Sequence, residues 1–177
     1  MKFEIPFNSA VHEKQMQLLF KEAWKKNLSK NKRNIFSAIA ILICSGTMLY
    51  LSSPFGYIFA GVSLFYILNI THVYLAYKRN KKEFFDLSSR FSLQLANSNV
   101  ATIWEFFEDH FYYKDVLVEG KLKWETVKGC RVIDQNLLVD VSYGIPASYI
   151  IGIEDVGEEN FNKLSTFVQR MIKTHTL

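Results

Sequence analysis

The chain has 177 residues, 49% hydrophobic and 21% charged, with a formal net charge of +4, which is room for about one ordinary globular domain or for a smaller domain plus a membrane element. A mean hydropathy near zero hides a sharp division, because the 44 consecutive positions from Asn34 to Tyr77 contain no Asp, Glu, Lys or Arg. A sequence pI near 9.0 would suit nucleic acid, but residues 1–82 hold 12 Lys and Arg against three acids and residues 83–177 hold nine against 14. The only sizeable soluble part is therefore acidic, and nucleic-acid binding is not expected.

Residues 1–34 read as an amphipathic cytoplasmic segment. Ser9 can cap a helix over about Asn8 to Asn31 with Glu13 in its following turn; Lys14, Lys21, Lys25 and Lys32 fall on one side, with Met16, Leu19, Phe20, Ala23 and Trp24 opposite. Lys over Trp and Phe is an interfacial pattern. The same stripe could instead pack on the soluble domain, and Leu18 departs from the pattern.

Residues 35–77 follow as two apolar runs, 35–53 and 57–77, of 19 and 21 positions. As helices each is close to the ~30 Å hydrocarbon thickness of a bilayer. A soluble helical hairpin normally keeps a polar face, and "IFSAIAILICSGTMLYL" has none wider than Ser and Thr. Pro54 and Gly56 mark a turn too short for anything but an antiparallel hairpin. Lys21, Lys25, Lys26, Lys30, Lys32 and Arg33 precede the first run, and Lys78, Arg79, Lys81 and Lys82 follow the second. Both termini are thus expected in the cytoplasm, on a multi-pass protein of the cytoplasmic (inner) membrane. With 34 residues before the first run and a second run at once after it, a retained anchor is expected rather than a cleaved signal peptide.

Residues 83–177 form the expected cytoplasmic domain, the period changing near Phe91. Short runs rich in Val, Ile, Phe and Tyr ("ATIWEFFED", "HFYYKDVLVEG", "KLKW", "GCRVIDQ", "LLVDVSY") are punctuated by Glu108-Asp109, Gly120, Gly129, Gln135-Asn136 and Gly144. They predict an antiparallel meander of six or seven strands. Val116, Val118, Leu122 and Trp124 alternate with Leu117, Glu119, Lys121 and Lys123 and are expected on the core face, Gly120 allowing a turn or a bulge. A closing helix carries Phe161, Leu164, Val168 and Met171 or Ile172 at helical spacing, Glu158 and Glu159 in its first turn, and Arg170 and Lys173 in its last. The fold class is α+β: a two-helix transmembrane hairpin with a C-terminal PH-like antiparallel meander or barrel capped by one helix.

Chemistry is sparse. His12, His72, His110 and His175 lie outside metal-ligand spacing of one another and of Cys44 and Cys130. The cysteines fall in different parts of the chain and read as packing residues. Glu108, Asp109 and His110 form the densest polar cluster, yet neighbours on a strand face opposite ways and turns hold solvated acids. Glu154, Asp155, Glu158 and Glu159 need no cause beyond the following helix N-terminus. Asn69, Thr71 and His72 cluster near the cytoplasmic end of the second run, where interfacial placement or helix–helix hydrogen bonding is the simplest role. No phosphate loop or nucleophile elbow is present, so no catalytic, cofactor-binding or metal residue is assigned, no cofactor is expected, and the chain is not read as an enzyme.

The order "WEFFEDHFYY", "KLKWETV", "GIPASYI" resembles bacterial YcxB-like membrane proteins. The resemblance implies an N-terminal segment, two transmembrane helices and a PH-like domain, and carries no activity. Where that family often has a basic residue after Ile-Pro, this chain has Ala147. The function expected is a membrane-anchored binding or regulatory module presenting its PH-like domain to a protein partner, or self-associating. Phosphoinositide binding is not expected, because Glu105, Glu108 and Asp109 stand where Lys and Arg would be needed. The alternative is a small oligomeric transport or channel component using the polar end of the second helix. Its contact face would draw on Ala38, Ser45, Gly46, Ala60 and Gly61.

Overall fold

A computed structural model describes residues 1–98, 100–143 and 145–175, with backbone alone at 143 and 145–147. The turn expected at Gly144 lies outside the described residues, as do the side chains of Ile145, Pro146 and Ala147. The elements run β1 (Lys2–Ile5), α1 (Ser9–Tyr50), α2 (Phe55–Ser98), β2 (Thr102–Phe106), β3 (His110–Lys114), β4 (Glu119–Lys123), β5 (Val127–Ile133), β6 (Asn136–Tyr143), β7 (Ile145–Gly152), α3 (Ile153–Val156) and α4 (Glu158–His175). The class is α+β, two long apolar helices followed by antiparallel sheet and a terminal helix. The chain divides into two compact units, Met1–Leu19 with Ser88–Leu177, and Phe20–Leu87.

The helical unit is an antiparallel pair with a tight turn. Ser52 takes φ 59°, and Leu51 N and Ser53 N donate to Thr47 O and Met48 O, ending α1 three residues earlier than the apolar run suggests. The buried seam is a heptad of small and polar residues, with Asn31, Ala38 and Ser45 on α1 and Gly56 and Ser63 on α2. Ser45 Oγ donates to Gly56 O at 2.8 Å and Ser63 Oγ to Ala38 O at 3.4 Å. A Cβ on Gly56 would lie 2.6 Å from Leu49 Cγ and 2.9 Å from Leu49 N, so glycine is required for that approach. Gly46 and Gly61, also expected at the contact face, have open space around their Cα atoms instead.

Near the other end of the pair, Phe20 packs on Tyr77, Phe84 and Phe85 with ring centroids 5.3–5.6 Å apart, and Trp24 meets Tyr77 edge-on at 5.4 Å. The two aromatics of the amphipathic stripe therefore pack on α2, a contact that neither the interfacial reading nor packing on the soluble domain included. Lys14, Lys21, Lys25 and Lys32 are exposed as that pattern requires, while Leu18, which departed from it, is buried.

The other unit holds two antiparallel sheets, β1-β2-β3-β4 and β5-β6-β7. Trp104, Phe106 and Phe111 from the first, Leu137, Val139, Val141 and Ile151 from the second, and Phe161, Leu164, Val168 and Met171 from α4 form one core with Trp124 and Val127. The α4 stripe is the one its spacing predicts. Three features depart from the sequence reading. The first strand is β1, paired with β2 in the register Phe3↔Trp104 and Ile5↔Thr102, so the sheet draws its edge from ahead of both long helices. Secondly, α2 continues to Ser98, past Phe91, because Phe84, Phe85, Phe91 and Leu95 serve a helix as well as a strand. Thirdly, Val116 and Val118 are exposed in the β3–β4 turn and Gly120 pairs with Tyr113 inside β4, leaving only Leu122 and Trp124 of that alternation turned inward. Asp115 makes the turn: its Oδ1 accepts from Leu117 N and Val118 N, both at 2.7 Å. The β5–β6 hairpin turns on Asp134 and Gln135, both at positive φ, a two-residue connection of the kind that fits sheet twist.

Candidate functional site

The polar clusters singled out in the sequence remain separate, and their acids are exposed except for Asp155. Asp109 Oδ1 lies 2.6 Å from His110 Nδ1, and that contact holds the exposed Asp109 carboxyl below its usual range. His110 stacks on Phe107 at 4.6 Å, and His175 Nε2 lies 3.1 Å from Glu108 O, so two of the four histidines meet the same turn from β3 and α4. Glu154 pairs with Lys14 at 2.8 Å and Glu159 with Lys163 at 2.6 Å. Asn69, Thr71 and His72 are exposed, Thr71 Oγ1 donating back to Ile67 O at 2.9 Å within its own helix. Cys44 and Cys130 are both free thiols. Among the described residues no group of three His, Cys, Asp or Glu could hold a metal ion.

What the fold assembles instead is a half-open cavity of about 350 Å³ in the sheet-bearing unit. The first turns of α1 form one wall, Phe91 and Leu95 of α2 another, and β2, β3, the β3–β4 turn and β7 the rest. Most of the lining is apolar, as small-molecule sites usually are. Its polar groups come from distant parts of the chain and include His12 and Gln15 from α1, Tyr113 and Asp115 from β3 and its turn, Tyr149 from β7 and Asp155 from α3. Its aromatic wall is a mutually tilted trio, Trp104–Tyr113 at 4.8 Å, Tyr113–Tyr149 at 5.2 Å and Trp104–Tyr149 at 5.8 Å.

Asp155, Gln15, Tyr113 and Asp115 are held by hydrogen bonds, and among the described residues His12 Nε2 is not. Asp155 Oδ2 accepts from Gln15 Nε2 at 2.5 Å and from Gly152 N at 2.7 Å, tying α1 to the start of α3. Gly152 is needed there, because a Cβ would stand 2.5 Å from Asn136 Oδ1 and 3.3 Å from Gln15 Nε2. Tyr113 Oη donates to Asp115 Oδ2 at 2.6 Å. Burial, and then that bond, push the Tyr113 phenol far above its ordinary range; burial likewise raises Tyr149. The His12 ring packs on Phe7 at 5.6 Å, and its Nε2 is buried with no hydrogen-bond partner among the described residues. Burial lowers the His12 pKa from 6.5 against the opposing field of Asp155, and burial raises that of Asp155 from 3.8 against its two donors.

These two shifts have opposite linkage. The unfolded chain protonates His12 first, so the stability tied to neutral His12 is complete above pH 6.5 and is lost as the pH falls below it. Asp155 binds its proton more tightly when folded, so its contribution grows only at lower pH, towards and below its raised value. The thermal unfolding midpoint is expected to fall between pH 7 and about 5.5, and His12→Gln to flatten that interval. An unchanged slope in the variant would assign it to other groups.

His12, Gln15, Tyr113, Tyr149 and Asp155 as a set had no local signal, since contacts such as Gln15–Asp155 join residues 140 positions apart. Asp115 alone carried a local signal, that of a turn-forming residue, and the strand-like alternation around it overrode that signal in the sequence reading. No family model and no curated protein matches the chain.

Proposed function

We propose that the chain is a membrane-anchored binding module of the YcxB-like kind: a transmembrane hairpin in the cytoplasmic membrane, both termini in the cytoplasm, displaying a PH-like domain to a protein partner and carrying out no chemistry itself. The observation that carries this reading is where the apolar residues lie. The most apolar windows of α1 and α2 are only 11% and 6% buried, whereas a soluble protein covers such helices. Leu42, Leu64, Phe36 and Phe65 are among many apolar side chains more than half exposed around the pair. Lys and Arg flank both helical runs on one side of the turn, and the turn has none. A four-stranded and a three-stranded antiparallel sheet followed by a C-terminal helix support the PH-like reading, with the first strand supplied from before the hairpin. Acids at Glu105, Glu108 and Asp109 support a protein partner over a phosphoinositide.

Leu42→Arg with Leu64→Arg discriminates. Both positions are exposed, 54% and 57%, so a soluble hairpin would tolerate them within about 0.5 kcal/mol. In a bilayer centre each costs roughly 2.5–3.5 kcal/mol. The doubly substituted chain is expected to leave the carbonate-resistant membrane fraction, with terminal reporters of the unsubstituted chain cytoplasmic and a Ser53→Cys label reached from outside. Retention of full solubility and fold by both the original and the substituted chain would sink the membrane anchor.

A further inference from the structure

We propose that the cavity bounded by His12, Asp155, Asp115 and the Trp104–Tyr113–Tyr149 trio is a binding site for a small amphipathic amine, its ammonium group directed to the carboxylates and its apolar body lodged in the cleft. The volume, about 350 Å³, is at the low end for ligand sites and fits a body of one or two rings. Charge sets the head group. Among the described residues two carboxylates line the cavity and no Lys or Arg does, so a carboxylate or phosphate would meet like charge, whereas an ammonium would meet complementary charge.

Hydrogen bonding points the same way. Among the described residues the donors to Asp155, Gln15 Nε2 and Gly152 N, both go to Oδ2, leaving Oδ1 as an acceptor, and His12 Nε2 is buried with no hydrogen-bond partner. As a neutral imidazole protonated on Nδ1, His12 adds a second acceptor beside that carboxylate. A buried nitrogen of this sort is costly unless something arrives to satisfy it. An N–H-rich cation supplies the donors that these cavity-lining acceptors lack. The aromatic trio supplies the remaining attraction, because π faces favour cations and apolar ring bodies alike. This site is independent of the protein-partner reading above: it lies within one compact unit and needs neither a second chain nor a membrane surface.

The test uses the full chain in phosphatidylcholine nanodiscs, with empty discs subtracted, titrated calorimetrically with three indoles that share a body and differ in the head: tryptamine, indole-3-ethanol and indole-3-propionate. Tryptamine is expected to bind saturably, indole-3-ethanol about tenfold or more weakly than tryptamine, and indole-3-propionate not at all. Asp155→Asn should weaken tryptamine by about tenfold or more while leaving indole-3-ethanol nearly unchanged. Should Asp155→Asn fail to fold, Leu117→Lys decides. Leu117 is exposed at the cavity's rim, and a lysine there should weaken tryptamine and admit indole-3-propionate. Saturable binding by none of the three, equal binding by all three, or tryptamine affinity unmoved by the variants overturns the proposal.

Discussion

Residues 88–177 alone are expected not to fold, whereas residues 1–19 joined to 88–177 through a short Gly/Ser linker should fold cooperatively. The difference is β1 and the first turns of α1. Without them β2 loses the partners of four residues, Met1 O and N no longer bond Phe106 N and O at 2.7 and 2.8 Å, and Phe3 no longer meets Phe106 edge-on at 6.2 Å. Phe3 and Ile5 both pack on the core, and burying such side chains is worth about 1.5–3 kcal/mol each. Lys14–Glu154 and Gln15–Asp155 go as well. The combined loss is comparable with the roughly 5–15 kcal/mol that holds a small domain together. The linker can be short, because Phe20 contacts Phe84 and Phe85 and the two cut ends therefore lie close. Dispersed amide resonances in the joined chain and collapsed ones in the fragment are the expected readout; a well-dispersed spectrum from 88–177 alone would show β1 to be dispensable.

Trp124→Ala is expected to cost about 3–5 kcal/mol, enough to leave the sheet-bearing unit marginal. Trp124 is 1% exposed and sits among Phe111 at 5.3 Å, Phe167 at 6.2 Å and Phe106 at 6.5 Å, joining the four-stranded sheet to α4. Its indole N–H donates to Phe107 O at 2.9 Å, so truncation also strips a partner from that carbonyl. Trp124→Phe separates the two effects: it keeps most of the ring volume, loses the bond and should cost roughly 1–3 kcal/mol. Equilibrium denaturation of the joined 1–19/88–177 chain measures both. A loss below 1 kcal/mol for Trp124→Ala would mean the cavity collapses freely and the centre of the core lies elsewhere.

The long helices and the closing helix were legible because their signals are long and periodic. A 44-residue uncharged stretch interrupted by Ser-Ser-Pro-Phe-Gly leaves little choice, and Phe161, Leu164, Val168 and Met171 fall on one helical face. The strands after Thr102 were legible in kind but not in register. "KDVLVEG" alternates as a strand would, and only the acceptor geometry of Asp115 turns Val116 and Val118 outward. "KFEI" could not be assigned from its neighbourhood. Four residues ahead of a 42-residue helix carry no turn or partner signal, and their pairing with Thr102–Glu105 is settled by Phe3 and Ile5 reaching the core. The cavity was invisible for the same reason, being assembled from both sides of the hairpin insertion.

That insertion fixes an order of events during synthesis. β1 leaves the ribosome first but has no partner until β2 follows about a hundred residues later, roughly 5–20 s at ordinary elongation rates. Closing so long a loop as random coil would carry a substantial entropic cost. Pairing of α1 and α2 lowers that cost, since their Phe20–Phe84/Phe85 contact brings the residues that flank the insertion close together. Pairing of α1 with α2 thus favours completion of the sheet, and a nascent chain whose helix pair is misassembled leaves β1 and β2 as unpaired edges open to pairing with another chain.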